Sequence, residues 1–255
     1  MATTKSAAKS VKSPAKKTAS AAKSKASPKR SAKTDLAPER IDEILRRLAA
    51  AYPNAECALH HRNAWELLVA TILSAQCTDA RVNMVTPELF RKYPTPEAMA
   101  QASTTAIEEE IRSTGFYRNK AKSIAGAARR IAYDFKGKVP RTLAELITVP
   151  GAARKTASVV LGVAYGLAEG VVVDTHVLRI SRRLGLTQAT EPKKVEQDLM
   201  KILPQDRWIQ YSHEIIHHGR QVCIARKPRC VDCTLEDLCY STDKTWSSVD
   251  AEKLR

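Results

Sequence analysis

Aromatic residues fill only 5 % of the 255 positions, and phenylalanine occurs three times. A chain so poor in rings must build its core from aliphatic side chains and alanine, a mix suited to close helix packing. No apolar run approaches the roughly 18 residues that a membrane span needs, and no signal-peptide core is visible. A soluble protein with no membrane partner is expected. Acidic residues are missing altogether from positions 1–34, which hold ten Lys or Arg. Of the 42 basic residues, 32 then remain to face all 27 acids, so ten units of the net +15 lie in that first segment.

Residues 1–34 are Ala, Ser, Lys and Pro, with Val11 the one large hydrophobe after Met1. They cannot bury enough apolar surface to fold, and a disordered tail is expected. Lysines that meet phosphates release counterions, so the tail reads as a nucleic-acid-binding arm. Ser13-Pro14-Ala15-Lys16 and Ser27-Pro28-Lys29-Arg30 resemble the S-P-x-K repeats of linker-histone tails. A solubilising or targeting tail is the plainer alternative.

From Leu36 the text is amphipathic and helical. "APERIDEILRRLAAAYP" reads as one helix stopped by Pro53, and "NAWELLVATILSAQCTD" as a buried helix opened by a capping box of Asn63 and Glu66. Further helices are expected at about 79–92, 95–101, 103–113 and 118–135, with another opening between Pro140 and Ile147. Only "GVVVD", 170–174, looks extended, and one such segment cannot make a sheet. The fold class is all-α.

Four of six cysteines fall in a C-x6-C-x2-C-x5-C array: Cys223, Cys230, Cys233 and Cys239. Without a secretory signal, four clustered thiolates point to a metal centre rather than disulfides. Zinc and a 4Fe–4S cluster both accept four thiolates, and the spacing leaves both open. Cys57 and Cys77 lie in or beside helical text and read as core residues. Just before the array, "HEIIH" spans His213 to His217 and matches the zinc-protease motif. It lacks the third ligand at the right register; these histidines read instead as packing on a helix that delivers Cys223.

"LITVPGAARKTASVVLG" is a second constellation. A turn at Pro150-Gly151 joins two helices and exposes turn amides at a helix N-terminus, an anion site suited to a DNA phosphate. Such a hairpin grips backbone without reading bases. Lys155 lies in the first turn of the second helix, where the helix end and Arg154 both disfavour its ammonium form. It is either a Schiff-base nucleophile or an ordinary phosphate contact. Asp174, in "VVVDTHVLRI", reads as an N-cap that can also present a carboxylate to the same cleft.

"LSAQCTD", "VPGAARKTA", "VVVDTHVLRI" and "HGRQVCIARKPRCVDCTLEDLC" together resemble endonuclease III, the DNA glycosylase/AP lyase family of the helix-hairpin-helix superfamily, from about Leu36 to Tyr240. The resemblance implies two helical domains flanking a DNA-binding cleft. Residues 57–167 would form a six-helix barrel carrying the hairpin, and residues 35–56 with 168–240 a discontinuous domain around a 4Fe–4S cluster held by the four cysteines. Residues 241–255 would be a C-terminal tail. It implies a monomer that removes oxidised pyrimidines from double-stranded DNA, with Lys155 attacking the sugar, Asp174 assisting, and β-elimination nicking 3′ to the abasic site. The base must first leave the stack. Gln76 and Phe116 would fill the vacated hole, while Gly151, Ala153, Arg154, His176, Arg226, Lys227 and Arg229 would contact DNA. The location implied is the cytoplasm, at the nucleoid, or the nucleus for a eukaryotic source.

One departure stands out: the family's hairpin reads Pro-Gly-hydrophobic-Gly, and here it is Pro150-Gly151-Ala152-Ala153. If Ala153 needs positive φ, the cost is roughly 1–2 kcal/mol. Two rivals compete. An adenine-mismatch glycosylase would lack the hairpin lysine and extend further beyond the cysteines; a non-enzymatic DNA clamp would bind abasic DNA without cutting it.

Overall fold

The computed structural model describes residues 35–245, so the expectations for residues 1–34 and 246–255 lie outside the described residues. Among the described residues there are eleven α-helices and no strand. The run 170–174 leads into a helix without pairing. No helix of the described residues is long and apolar enough to cross a membrane.

Capping side chains set most of the early boundaries. Helix α1 spans Pro38–Ala51 and begins with proline, whose missing N–H costs nothing in a first turn. In α2, Ala64–Leu73, Asn63 accepts from the Glu66 N–H as a cap should. The other half of the expected box differs. Glu66 is buried and takes the N–H of Arg62, one residue earlier, together with the Arg62 guanidinium. The buried Glu66 carboxylate thus pairs with an Arg62 side chain that stays largely exposed at the helix start. Thr78, Thr95 and Ser103 cap α3 (Asp79–Lys92), α4 (Pro96–Gln101) and α5 (Thr104–Ile111) in the usual way. Helix α6, Tyr117–Arg129, widens into a π-helical turn at Arg130–Asp134, so the run expected to end near 135 is not α-helical throughout.

The hairpin is tighter than its sequence suggests. Its first helix, α7, covers only Leu143–Leu146, because Thr142 caps it and Pro140 stays outside. The second, α8, runs Arg154–Tyr165. Helix α9 (Thr175–Arg183) follows Asp174, then α10 (Pro192–Ile202) and α11 (Trp208–Gln221), whose end leads to Cys223.

Two separate apolar clusters hold these helices. One is built from residues between Leu59 and Leu161, with α2 at its centre: Leu67, Leu68, Val69, Ala70 and Leu73 are fully buried. The other joins α1 (Ile41, Ile44, Leu48) to Val171, Val177, Leu199, Tyr211 and Leu235. Chain order thus leaves the second cluster at residue 48 and returns to it at 171. Residues 241–245 pack down rather than trailing away. Asp243 pairs with Arg183, Lys244 with Glu236, and Thr245 donates to the carbonyl of Pro228.

Candidate active site

Lys155 and Asp174 come from different elements and line one cavity of about 170 Å³. Its wall draws on both clusters, Leu59 and Val163 from the first and Ile216 from the second, with Val172 and Ile209 completing the apolar lining. Lys155 lies in the first turn of α8, exposed and without an ion-pair partner among the described residues. Asp174 caps α9. Its Oδ1 accepts from the backbone of both His176 and Val177 at 2.8 Å, and Oδ2 has no hydrogen bond among the described residues. One oxygen therefore fixes the carboxylate and the other is available for proton transfer.

His213 and His217 line the same cavity, a role the sequence reading did not give them. They stand one turn apart on α11, and burial lowers the pKa of His213. Glu214, the residue a zinc protease would use as base, is turned away. It is buried, 3.0 Å from Arg207, and does not line the cavity. Asp79 and Arg220 close another edge with an ion pair at 2.6 Å. Spacing along α11 signalled that His213 and His217 share a face, but only the packing shows what that face meets.

The hairpin turn places its positive φ at Gly151, +81°. Ala153 has φ −60° and ψ 163°, ordinary extended geometry that alanine adopts freely, so the cost feared for it is absent. Ala152 is buried, and its N–H donates to the carbonyl of Val149. Arg154 is not free for phosphate: its guanidinium lies 3.0 Å from Glu196.

Gln76 and Phe116 share an unusual backbone. Both sit in the left-handed region, at φ 53° and 48°, which disfavours side chains with a Cβ. Both are exposed, Phe116 at 63 %, and they line a second cavity of about 320 Å³ together with Gly151. Strain of this kind persists where surrounding structure over-determines it. His176 is placed elsewhere. It packs against Gly219, hydrogen-bonds Arg179 at 3.2 Å, and does not line either cavity.

The four array cysteines, none of them in a disulfide, line a third cavity. Arg183 donates to Cys223 Sγ at 3.1 Å, and His218 Nε2 lies 3.5 Å from Cys233 Sγ. Hydrogen-bond donors aimed at sulfur suit thiolates, so the donor set fits a four-thiolate group. Among the described residues no three His, Cys, Asp or Glu groups are arranged to hold one metal ion. In the loop between the first two cysteines, Arg226 and Lys227 are exposed, Lys227 with φ 54°, and Arg229 pairs with Asp232 at 2.7 Å.

This combination of helical hairpin, two-sided cavity and cysteine array matches a known class. The model of the HhH-GPD superfamily of base excision DNA repair proteins matches residues 69–205. Endonuclease III of Synechocystis sp. is 57 % identical over 203 residues, covering 80 % of this chain and 93 % of that protein. The Bacillus subtilis endonuclease III is 44 % identical over 207 residues, 81 % of this chain and 94 % of that one. A solved trapped endonuclease III–DNA covalent intermediate superposes with a TM-score of 0.76 at 41 % identity, covering 87 % of this chain and all of the other. A non-covalent endonuclease III–DNA complex gives 0.76 at 44 %, with 80 % and 96 % covered. The chain belongs to the endonuclease III family and is a base excision repair DNA glycosylase.

Proposed function

We propose that the chain is a bifunctional DNA glycosylase and AP lyase acting on oxidised pyrimidines in duplex DNA. The observation that carries this is the convergence of Lys155 and Asp174 on one cavity walled by both apolar clusters. Solved relatives that include a covalent endonuclease III–DNA intermediate support the same chemistry.

The sequence of events follows from the side chains. A damaged nucleoside leaves the stack and enters the cavity, and Gln76 and Phe116 fill the gap. The neutral amine of Lys155 attacks C1′ of the deoxyribose as the glycosidic bond breaks, and the bonding pair departs with the base, which takes up a proton. Loss of a proton from the amine and opening of the sugar ring give a protonated Schiff base between Nζ and C1′. Asp174 Oδ2 stabilises the cationic sugar and accepts a proton. A C2′ proton is then removed and the C3′–O bond breaks, so the 3′ phosphate leaves as part of the downstream strand. Water hydrolyses the Schiff base and frees the enzyme.

Gly151 and the turn amides before α8 hold the strand through its phosphates, with Ala153 as helix cap; Arg226, Lys227 and Arg229 add charge from the cysteine loop. Arg154 reaches DNA only by exchanging its Glu196 partner. His176 acts indirectly, holding α9 against α11. Cys223, Cys230, Cys233 and Cys239 would hold a 4Fe–4S cluster. When bound, the cluster supplies cross-linking of the loop 223–239, and none of the steps above uses it. The two apolar clusters support a division into residues 57–167 and residues 35–56 with 168–240. We read the protein as a monomer working on chromosomal DNA in the cytoplasm.

Borohydride reduction with abasic duplex tests the reading. The native chain should give a covalent adduct and Lys155→Ala none. Tight abasic binding without any adduct would instead support the DNA clamp.

A further inference from the structure

Lys120 is a buried cation that the chemistry above leaves unused. It sits in the first turn of α6 and is only 5 % exposed. An ammonium so placed must satisfy its protons or lose its charge, and burial does lower its pKa. Its Nζ donates to two carbonyls, that of Leu73 at 2.8 Å and that of Thr114 at 2.9 Å. Both are helix-end groups: Leu73 closes α2, and Thr114 closes the 3-10 turn Arg112–Thr114 that continues α5. Carbonyls at helix C-termini lack intrahelical donors and carry the negative end of the dipole. One cation therefore caps two helices.

Those two helices lead directly into the strained residues. Gln76 follows Leu73 by three positions, and Phe116 follows Thr114 by two. Lys120, Gln76 and Phe116 line the same 320 Å³ cavity. We infer that Lys120 is a positioning residue for duplex invasion, its ammonium tying the two loops together so that Gln76 and Phe116 enter the DNA as one wedge. The inference rests on the proposed function, in which those two side chains fill the space of the extruded nucleotide. A wedge on two independent loops would lose entropy on ordering at each binding event; a shared buried anchor removes that loss beforehand.

A double-mutant cycle separates this from a merely structural lysine. The probe is a duplex with a tetrahydrofuran abasic analogue opposite 2-aminopurine, whose fluorescence rises when the estranged base unstacks. Lys120→Met, near-isosteric but uncharged, should abolish most of that rise and weaken binding about tenfold, equivalent to about 1.4 kcal/mol. Added to a Gln76→Ala/Phe116→Ala protein, the same change should weaken binding less than about twofold, because its route of action is already gone. Lys120→Arg should recover part of the fluorescence change. If Lys120→Met fails to fold, Lys120→Gln, which keeps an N–H donor, carries the same cycle. An equal loss with and without the wedge residues would overturn the inference, as would an unchanged fluorescence rise. Borohydride trapping of Lys120→Met on a single-stranded abasic oligonucleotide should match the native chain, since no duplex needs opening. Failure of trapping by the native chain itself would count against the proposed function instead.

Discussion

Placing a single methyl group on Gly151 should disable the hairpin, whereas Ala153, two positions on, tolerates change. At φ +81° an L side chain costs roughly 1–2 kcal/mol. The new Cβ would stand 2.9 Å from Ser123 Cβ, which cannot retreat without moving α6, and 3.0 Å from Ile72 Cδ1, a side-chain tip that can turn aside. Overpacking of that kind adds about 1–3 kcal/mol, so Gly151→Ala should cost about 2–5 kcal/mol in total. For a domain of this size that lowers the melting temperature by at least about 4 °C. Ala153→Gly is the control: at φ −60° it relieves nothing, and the added freedom of the unfolded chain costs about 0.4–1 kcal/mol. It should not tighten duplex binding. Thermal unfolding by circular dichroism, paired with affinity for an abasic-analogue duplex, decides the matter. Should Gly151→Ala melt with the native protein, or Ala153→Gly bind more tightly, the assignment of the strained position would be wrong.

Asp174→Asn should melt within a degree or two of native, since asparagine caps as well as aspartate, yet slow single-turnover base release about 10²- to 10⁴-fold; Asp174→Ala should also lose about 1 kcal/mol of stability in a denaturant titration. Cys230→Ser should yield purified protein with reduced iron and sulfide, and a brown native protein containing zinc instead of iron would refute the cluster. Deleting residues 1–34, with their ten basic residues, should weaken non-specific DNA binding and flatten its dependence on salt while single-turnover cleavage is retained. Identical salt slopes for the two proteins would remove the tail from DNA binding.

Much of this architecture could be read from residues alone because its causes are local. Asn63, Thr78, Thr95 and Ser103 announce helix starts through side chains that reach only three positions ahead. Asp174 could likewise be read as a cap from the extended run before it. Other features depend on partners distant in the chain and left no local trace. Arg154 meets Glu196 across 42 positions, and Lys120 meets Leu73 across 47. The expected capping box formed only in part, and for a local reason: Asn63 caps the helix, but Glu66 accepts from Arg62, four positions before it, rather than from the Asn63 N–H. The left-handed backbones of Gln76 and Phe116 were also invisible, since neither residue type favours that geometry and the surrounding packing imposes it. His213 and His217 show a different gap: their spacing read as packing on the helix that delivers Cys223, while their shared face opens on the cavity of Lys155.

Peptide mapping of the borohydride-reduced complex with abasic duplex tests the central claim most directly. Modification should block tryptic cleavage after Lys155 and place the sugar remnant on the fragment that begins at that residue. A remnant found on Lys120, Lys193 or a tail lysine, with Lys155 unmodified, would contradict it.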